Sequence, residues 1–97
     1  MYSSAFRYIH FLKKFGVDVT FVPAGCDVEK YRKAAKKNTR VLYGETPGNP
    51  LCSILDLEAF GSLGKELGIV TVVDATLGSP YCVQPIKHGV DVSIHSA

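Results

Sequence analysis

The stretch "GIVTVVDATLGSP", residues 68–80, determines the fold class of this sequence. Residues 69–73 form an apolar run that is followed directly by the carboxylate of Asp74, and small residues and a proline come next. Near-continuous Val and Ile are typical of a strand that helices cover on both faces of a parallel sheet. An unpaired carboxylate is costly at the end of such a strand. We therefore interpret Asp74 either as a cap for the turning backbone or as the partner of a cation.

The segments around this strand predict an α/β fold. Apolar residues at helical spacing predict three helices, at 5–15 after Ser3 or Ser4 as the cap, at 28–38 after Asp27, and at 57–67 after Asp56. Strand-like composition predicts four strands, at 17–22, 39–43, 69–73 and 90–96, with a mostly irregular connection at 79–89. Strands that alternate with amphipathic helices are joined by right-handed crossovers, so the sheet should be mostly parallel and wrapped by helices.

Three polar residues lie at or just past the predicted strand ends. Asn49 comes after the second strand, Asp74 after the third and Ser96 after the fourth. Because parallel strands have their carboxyl ends at the same edge of the sheet, these residues should share that edge, where α/β proteins bind ligands.

Composition limits the classes of partner. The 97 residues, 46% of them hydrophobic, fit one domain, and a net charge of +2 gives no reason to expect nucleic acid or a membrane as the partner. The basic segment 30–40 is interpreted as a solvated helix face, with Glu29 able to pair with Lys33.

Three scattered cysteines without ligand spacing favour a reducing compartment, and the longest apolar runs are too short to cross a bilayer.

Several familiar motifs fail on spacing. The segment "GSLGKE" at 61–66 lacks the first glycine and the hydroxyl of a phosphate-binding P-loop, so we interpret it as helix. No GxGxxG follows a strand, which removes the main argument for a dinucleotide site. The three histidines share no ligand spacing, and we predict no metal site.

Three stretches, taken in order, resemble the Cys/Met-metabolism family of pyridoxal-phosphate (PLP) enzymes, the fold-type I group that includes cystathionine γ-synthase, cystathionine lyases and methionine γ-lyase. Residues 1–22 resemble the family's tyrosine turn, helix and strand. The segment "YGETPGNPL" at 43–51 resembles its ETPxNP segment. Residues 72–97 resemble the stretch from the cofactor aspartate to the start of the HSATK motif. The resemblance covers nearly the whole chain.

The resemblance implies roles at five matching positions. Asp74 would pair with the protonated pyridine nitrogen of PLP, which would make the cofactor the cation that the buried carboxylate awaits. Asn49 would bind the phenolic oxygen of the ring, and Ser96 would donate its hydroxyl to the phosphate. Thr76 would lie against one face of the ring. Tyr2 would stack on the other face and take part in proton transfer. Singly, these residues also fit simpler roles as caps, turn formers or strand-end hydroxyls.

The resemblance also implies where the chain belongs in a larger enzyme. Residues 1–97 would be an internal part of the PLP-binding large domain, without the upstream phosphate loop, the lysine that holds PLP covalently and the C-terminal domain. The parent would be a cytoplasmic homotetramer that cleaves or exchanges bonds at the β or γ carbon of sulfur amino acids. Two alternatives remain at this point, a non-catalytic chain that docks on intact subunits and an unrelated α/β binding module.

Overall fold

The computed structural model of the protein describes residues 3–97, and they form a three-stranded sheet with helices. The elements in chain order are α1 Ser3–Leu12, α2 Val28–Ala34, β1 Val41–Glu45, α3 Leu57–Leu67, β2 Val70–Asp74, α4 Ser79–Cys82 and β3 Val92–Ile94. Three 3-10 turns complete the list, at Lys13–Phe15, Thr76–Gly78 and Pro85–His88. Within residues 3–97, no helix has the length and apolar character needed to cross a bilayer.

The sheet is parallel throughout and has the order β1-β2-β3. Val41 pairs with Val70, and Glu45 pairs with Asp74 at the other end of the ladder. Asp74 also pairs with Ile94 of β3, so it lies on the central strand between two neighbours. The α/β class with a parallel sheet, predicted from the sequence, is confirmed.

The helix caps follow the predicted chemistry in two helices. The Asp27 carboxylate accepts a hydrogen bond from the Glu29 N–H at 3.0 Å, and the Asp56 carboxylate accepts one from the Ala59 N–H at 3.0 Å. These bonds satisfy amide groups that have no partner inside the first helical turn. Gly68 ends α3 in the left-handed conformation with φ 66°, as the sequence predicted.

The core lies between α3 and one face of the sheet. Phe60 of α3 and Val73 of β2 are fully buried there, and the ring of Phe60 meets Tyr31 of α2 edge-on with ring centroids 5.1 Å apart. The buried apolar residues are Leu42, Leu55, Phe60, Leu63, Val73, Ala75 and Val90. The other face of the sheet carries Tyr43 and Asp74, together with the half-exposed Val41 and Val70.

Close packing of α3 explains the two glycines in the helical "GSLGKE" segment. A Cβ on Gly61 would lie 2.7 Å from the backbone oxygen of His88, and a Cβ on Gly64 would collide with the Thr71 side chain. These glycines therefore permit α3 to approach the 3-10 turn before β3 and the strand β2 closely. The interpretation of 61–66 as helix, not P-loop, is confirmed.

The predicted strand at 17–22 is wrong. This segment has no regular secondary structure, and no strand of the described part of the chain pairs with it. An alternating sequence forms a ladder only where a neighbouring strand supplies backbone partners. Here Phe21 packs instead on α1, with its ring centroid 5.0 Å from that of Phe6 and 5.5 Å from that of His10.

The helix termini at α1 and α2 also differ from prediction. Ser3 and Ser4 already lie inside α1, so neither of them is its cap. The helix α2 ends at Ala34 instead of near Asn38 because Ala35 is extended and the hydroxyl of Thr39 accepts the Lys36 N–H at 2.8 Å. A side chain that offers the backbone such a partner competes with helix continuation.

Smaller differences concern one ion pair and the end of the chain. Glu29 pairs with Arg32 at 2.9 Å instead of with Lys33, and Arg32 also pairs with Glu66 of α3. The connection at 79–89 contains α4 and a 3-10 turn, so it is more regular than predicted. The last strand covers only Val92–Ile94, since only these residues pair with β2.

Candidate functional site

Asp74 ends the central strand with its carboxylate turned back onto the chain. Its Oδ1 atom accepts the Thr76 N–H at 3.0 Å and the Thr76 hydroxyl at 2.6 Å. An aspartate that binds the backbone two residues ahead stabilises a tight turn. The capping role considered from the sequence is therefore present, and it uses one of the two carboxylate oxygens.

Ser96 is tied to the same group from the neighbouring strand. Its backbone N–H donates to the Thr76 hydroxyl at 3.0 Å. The backbone of β3 reaches the same corner, because Ala75 N–H donates to the carbonyl of Ile94 at 2.9 Å. The structure thus brings Asp74, Thr76 and Ser96 together at the carboxyl edge of the sheet.

Asn49 lies at the end of β1, in a loop that folds over the same edge. Its N–H donates to Oε1 of Glu45 at 2.6 Å, and Glu45 is the residue that pairs with Asp74 in the sheet register. The buried Thr46 anchors the loop, since its N–H donates to the Asp74 carbonyl at 3.0 Å and its hydroxyl accepts the Leu55 N–H at 3.2 Å. Thr46–Pro47 and Asn49–Pro50 are cis peptide bonds.

Tyr43 is a further member of this edge that the sequence analysis missed. It shares a sheet face with Asp74, one strand away and two positions toward the amino end. Burial raises the pKa of Tyr43 to about 12, and the charges of Asp74 and Glu45 and a hydrogen bond to Asp74 act in the same direction. Tyr43 therefore stays neutral and can donate its hydroxyl to Asp74.

The only sequence signal for Tyr43 is alternation, which places it on the same face as Glu45. Alternation along one strand does not give the register with the next strand, so it does not reveal that Asp74 lies within reach. The apolar run before Asp74 predicts that this residue belongs to the site. The contact between Tyr43 and Asp74 follows only from the register of the sheet.

The donors around Asp74 are all neutral. The amide and hydroxyl of Thr76 bind it at 3.0 and 2.6 Å, and the neutral hydroxyl of Tyr43 is close enough to interact with it. No lysine, arginine or histidine of residues 3–97 forms an ion pair with Asp74. A carboxylate accepts about four hydrogen bonds. The donor set therefore leaves room for one more donor, and a cationic N–H would suit the charge of the carboxylate.

The predicted roles of the site residues remain predictions. Tyr2 lies outside the described residues, and the positions of Asn49, Asp74, Thr76 and Ser96 do not test what these residues bind. Within residues 3–97, no three histidine, cysteine, aspartate or glutamate side chains converge as metal ligands would.

Two sequence relatives of the chain carry the names of a sulfhydrylase and a lyase. It is 41% identical over 97 residues to an O-acetyl-L-homoserine sulfhydrylase of Leptospira meyeri, covering 99% of the chain and 22% of that protein. It is 46% identical over 89 residues to an L-methionine gamma-lyase of Fusobacterium nucleatum subsp. nucleatum, covering 91% of the chain and 22% of that protein. The chain thus spans less than a quarter of the length of these relatives.

Solved structures of two enzymes contain the fold of this chain. A cystathionine gamma-lyase from Lactobacillus plantarum, complexed with L-serine, superposes with a TM-score of 0.94 at 36% identity, covering 99% of the chain and 25% of that protein. An O-acetylhomoserine (thiol)-lyase from Campylobacter jejuni, which contains N′-pyridoxyl-lysine-5′-monophosphate, superposes with a TM-score of 0.92 at 34% identity, covering 99% of the chain and 23% of that protein.

The family profile described as "Cys/Met metabolism PLP-dependent enzyme" matches residues 1–97, the whole of the sequence. The alternative of an unrelated α/β binding module is therefore wrong. The resemblance noted in the sequence is confirmed over the same residues, and the chain belongs to the Cys/Met metabolism family of PLP-dependent enzymes.

Proposed function

We propose that residues 1–97 form part of the PLP-binding domain of an enzyme that breaks or exchanges bonds at the β or γ carbon of sulfur amino acids. Family membership and relatives named as a sulfhydrylase, a methionine gamma-lyase and cystathionine enzymes support this reaction class. The choice between lyase and synthase depends on residues that read the substrate, and none of the site residues described above does so.

One observation supports the cofactor role most directly. Asp74 closes the central strand with only neutral donors around it, and no cationic side chain of residues 3–97 pairs with it. When bound, PLP supplies a protonated pyridine ring that withdraws electrons from the carbon undergoing reaction. In this proposal Asp74 accepts the ring N–H and favours its charged form.

The other polar residues of the edge would fix the remaining parts of the cofactor. Asn49 would donate to the phenolic oxygen, and Ser96 would donate its hydroxyl to the phosphate. Thr76 would lie against one ring face, and Tyr2 would stack on the other and move a proton. The position of Asn49, Thr76 and Ser96 around Asp74 supports this arrangement, because one flat ligand could reach all of them.

The parent enzyme would be a cytoplasmic homotetramer whose substrates are amino acids of the cystathionine, methionine or homocysteine type. The three cysteines are free, which fits a reducing compartment.

The proposal is tested with Asp74→Ala in the intact protein. We expect turnover of cystathionine, methionine or O-acetylhomoserine to fall by roughly two orders of magnitude or more, because the ring nitrogen loses the charge that keeps it protonated. PLP retention, measured by absorbance after gel filtration, should fall less. Asp18→Ala, which removes an exposed carboxylate before α2, is the matched control. Turnover by Asp74→Ala within a factor of about three of the unchanged protein, under ~1 kcal/mol of barrier, would contradict the proposal.

A further inference from the structure

The hydroxyl of Thr76 is bonded on both sides. It donates its single proton to Oδ1 of Asp74 at 2.6 Å and accepts the N–H of Ser96 at 3.0 Å. An ionised carboxylate can only accept and an amide N–H can only donate, so the direction of both bonds is fixed. The hydroxyl therefore has one orientation, in which it links the end of β2 to the chain that leaves β3.

We infer that Thr76 is a positioning residue, whose hydroxyl sets the separation between Asp74 and Ser96. This inference rests on the proposed function, in which Asp74 holds the ring nitrogen and Ser96 holds the phosphate. In that arrangement the Thr76 hydroxyl couples the two ends of the cofactor site. This role differs from the contact with the ring face that the family resemblance implies for the same residue, since a ring contact needs the methyl group and not the hydroxyl.

Asp74 and Ser96 do not depend equally on the Thr76 hydroxyl. Asp74 keeps the Thr76 N–H at 3.0 Å even if the hydroxyl is removed, because that bond is made by the backbone. Ser96 lies two residues beyond the end of β3, and its N–H has the Thr76 hydroxyl as its partner. Loss of the hydroxyl should therefore release the Ser96 side of the site more than the Asp74 side.

The different dependence of Asp74 and Ser96 on the Thr76 hydroxyl can be measured by comparing two ligands. Removing the hydroxyl should weaken binding of PLP, which carries the phosphate, more than binding of pyridoxal, which lacks it. A residue that served only the stability of the turn would weaken both ligands alike. The backbone at Ser96 should also become more exposed to solvent in the protein without cofactor, because a hydrogen-bonded amide exchanges slowly only while its bond is closed.

The experiment compares Thr76→Val and Thr76→Ser in the intact protein. Valine keeps the branched shape and removes the hydroxyl, whereas serine keeps the hydroxyl and removes the methyl group. Dissociation constants for PLP and pyridoxal are measured by absorbance titration, and exchange of the Ser96 amide is measured without cofactor. We expect Thr76→Val to weaken PLP binding about tenfold, pyridoxal binding less, and to speed exchange at Ser96. Thr76→Ser loses only the methyl contact with the ring, which PLP and pyridoxal share, so it should keep the ratio of the two affinities and the exchange at Ser96 close to those of the unchanged protein.

The affinities and the Ser96 exchange rate together test whether the Thr76 hydroxyl positions Ser96. An unchanged ratio of PLP to pyridoxal affinity together with unchanged Ser96 exchange in Thr76→Val would overturn the inference. Equal changes of this ratio and of the exchange in Thr76→Val and Thr76→Ser would overturn it as well, since the methyl group would then be responsible. If circular dichroism shows that Thr76→Val does not fold, Thr76→Ala removes the hydroxyl without adding volume and is measured in the same way. Absence of PLP binding in the unchanged protein would overturn the proposed function, whereas the Ser96 exchange comparison would still decide whether the hydroxyl couples the two strands.

Discussion

Asp91 and Thr71 bind each other through three hydrogen bonds at the amino ends of β2 and β3. Oδ2 of Asp91 accepts both the N–H and the hydroxyl of Thr71 at 2.8 Å, and the Asp91 N–H donates back to that hydroxyl at 3.0 Å. Thr71 is fully buried. Asp91 therefore satisfies polar groups that have left water, although its own side chain remains exposed.

Asp91→Ala should lower the free energy of unfolding and make that free energy less dependent on pH in the acidic range. The backbone and hydroxyl hydrogen bonds from Thr71 lower the pKa of the Asp91 carboxyl group. Because the folded-state pKa is depressed, this stabilisation is complete above the ordinary aspartate pKa and is lost as the pH falls through the folded-state value. Urea unfolding should give a difference between unchanged and variant proteins that is largest near neutral pH and narrows below about pH 4.

Asp18→Asn is the matched control for this measurement, since Asp18 is an exposed carboxylate in the irregular segment before α2. It should leave the free energy of unfolding within about 0.5 kcal/mol at every pH. A difference between unchanged protein and Asp91→Ala that stays constant from neutral pH to about pH 2 would contradict the proposed ionic contribution.

The same chemical pairing joins β2 to β3 at both ends. At the amino end the hydroxyl of Thr71 bridges the carboxylate and the amide of Asp91, and at the carboxyl end the hydroxyl of Thr76 bridges Asp74 and the amide of Ser96. The two ends differ in composition, since the first bridge uses a single partner residue and the second uses two. We therefore expect the first to serve stability and the second to serve the geometry of the site.

Gly61→Ala should destabilise the protein by about 1–3 kcal/mol, although alanine is the better helix former. A Cβ at this position would lie 2.7 Å from the His88 oxygen and from the backbone carbon of Gly89, and neither backbone group can move without shifting the turn before β3. Ser62→Ala, at an exposed position of the same helix, should change the free energy of unfolding by no more than about 0.5 kcal/mol. Equal urea midpoints for the two variants would show that the turn yields easily.

Tyr43→Phe should remove part of the loss of stability at high pH. Burial and the nearby carboxylates raise the pKa of Tyr43 from 10.0 to about 12. A raised folded-state pKa means that the stabilisation is complete below the unfolded value and is lost between about pH 10 and pH 12. Thermal unfolding at a series of pH values should show a shallower decline in Tyr43→Phe than in the unchanged protein. Tyr81→Phe, which alters a ring that is 89% exposed, should retain the original decline.

The sequence predicted the helices and strands whose partners lie close along the chain. The sequence predicts Asp27 and Asp56 as caps because a cap binds an amide two or three residues away, and this distance is fixed by the sequence itself. The predicted strand at 17–22 is wrong because a strand needs a neighbouring strand to pair with, and the local sequence pattern does not show whether one is present. The end of α2 was misplaced for a related reason, since Thr39 offered the Lys36 amide a competing partner.

The candidate site was predictable where it depends on strand direction. Asn49, Asp74 and Ser96 follow three strands, and a parallel sheet brings such positions to one edge. The contacts within that edge were not predictable, because they depend on the register of the strands and on which hydrogen-bond partners lie within reach of each side chain. Tyr43 reaches Asp74 only through the pairing of β1 with β2, and Thr76 reaches Ser96 only because β3 lies next to β2.

The 97-residue polypeptide alone should form no specific covalent adduct with PLP and should show no elimination from sulfur amino acids. Lys65 lies near Asp91 and Gly89, at the amino edge of the sheet, and Lys87 belongs to the turn that precedes β3. Neither lysine forms an ion pair with Asp74, which lies at the carboxyl end of β2. The family lysine is expected instead after the position of Ser96, at the carboxyl edge.

The measurement is to mix the purified polypeptide with PLP, reduce with borohydride and map modified lysines by mass spectrometry. We expect low, scattered labelling of exposed lysines, because no lysine of residues 3–97 forms an ion pair with Asp74. Asp74→Ala is the control, since scattered labelling should not depend on the site. One stoichiometric adduct on a single native lysine that disappears in Asp74→Ala would show instead that residues 1–97 hold the cofactor covalently without a further lysine.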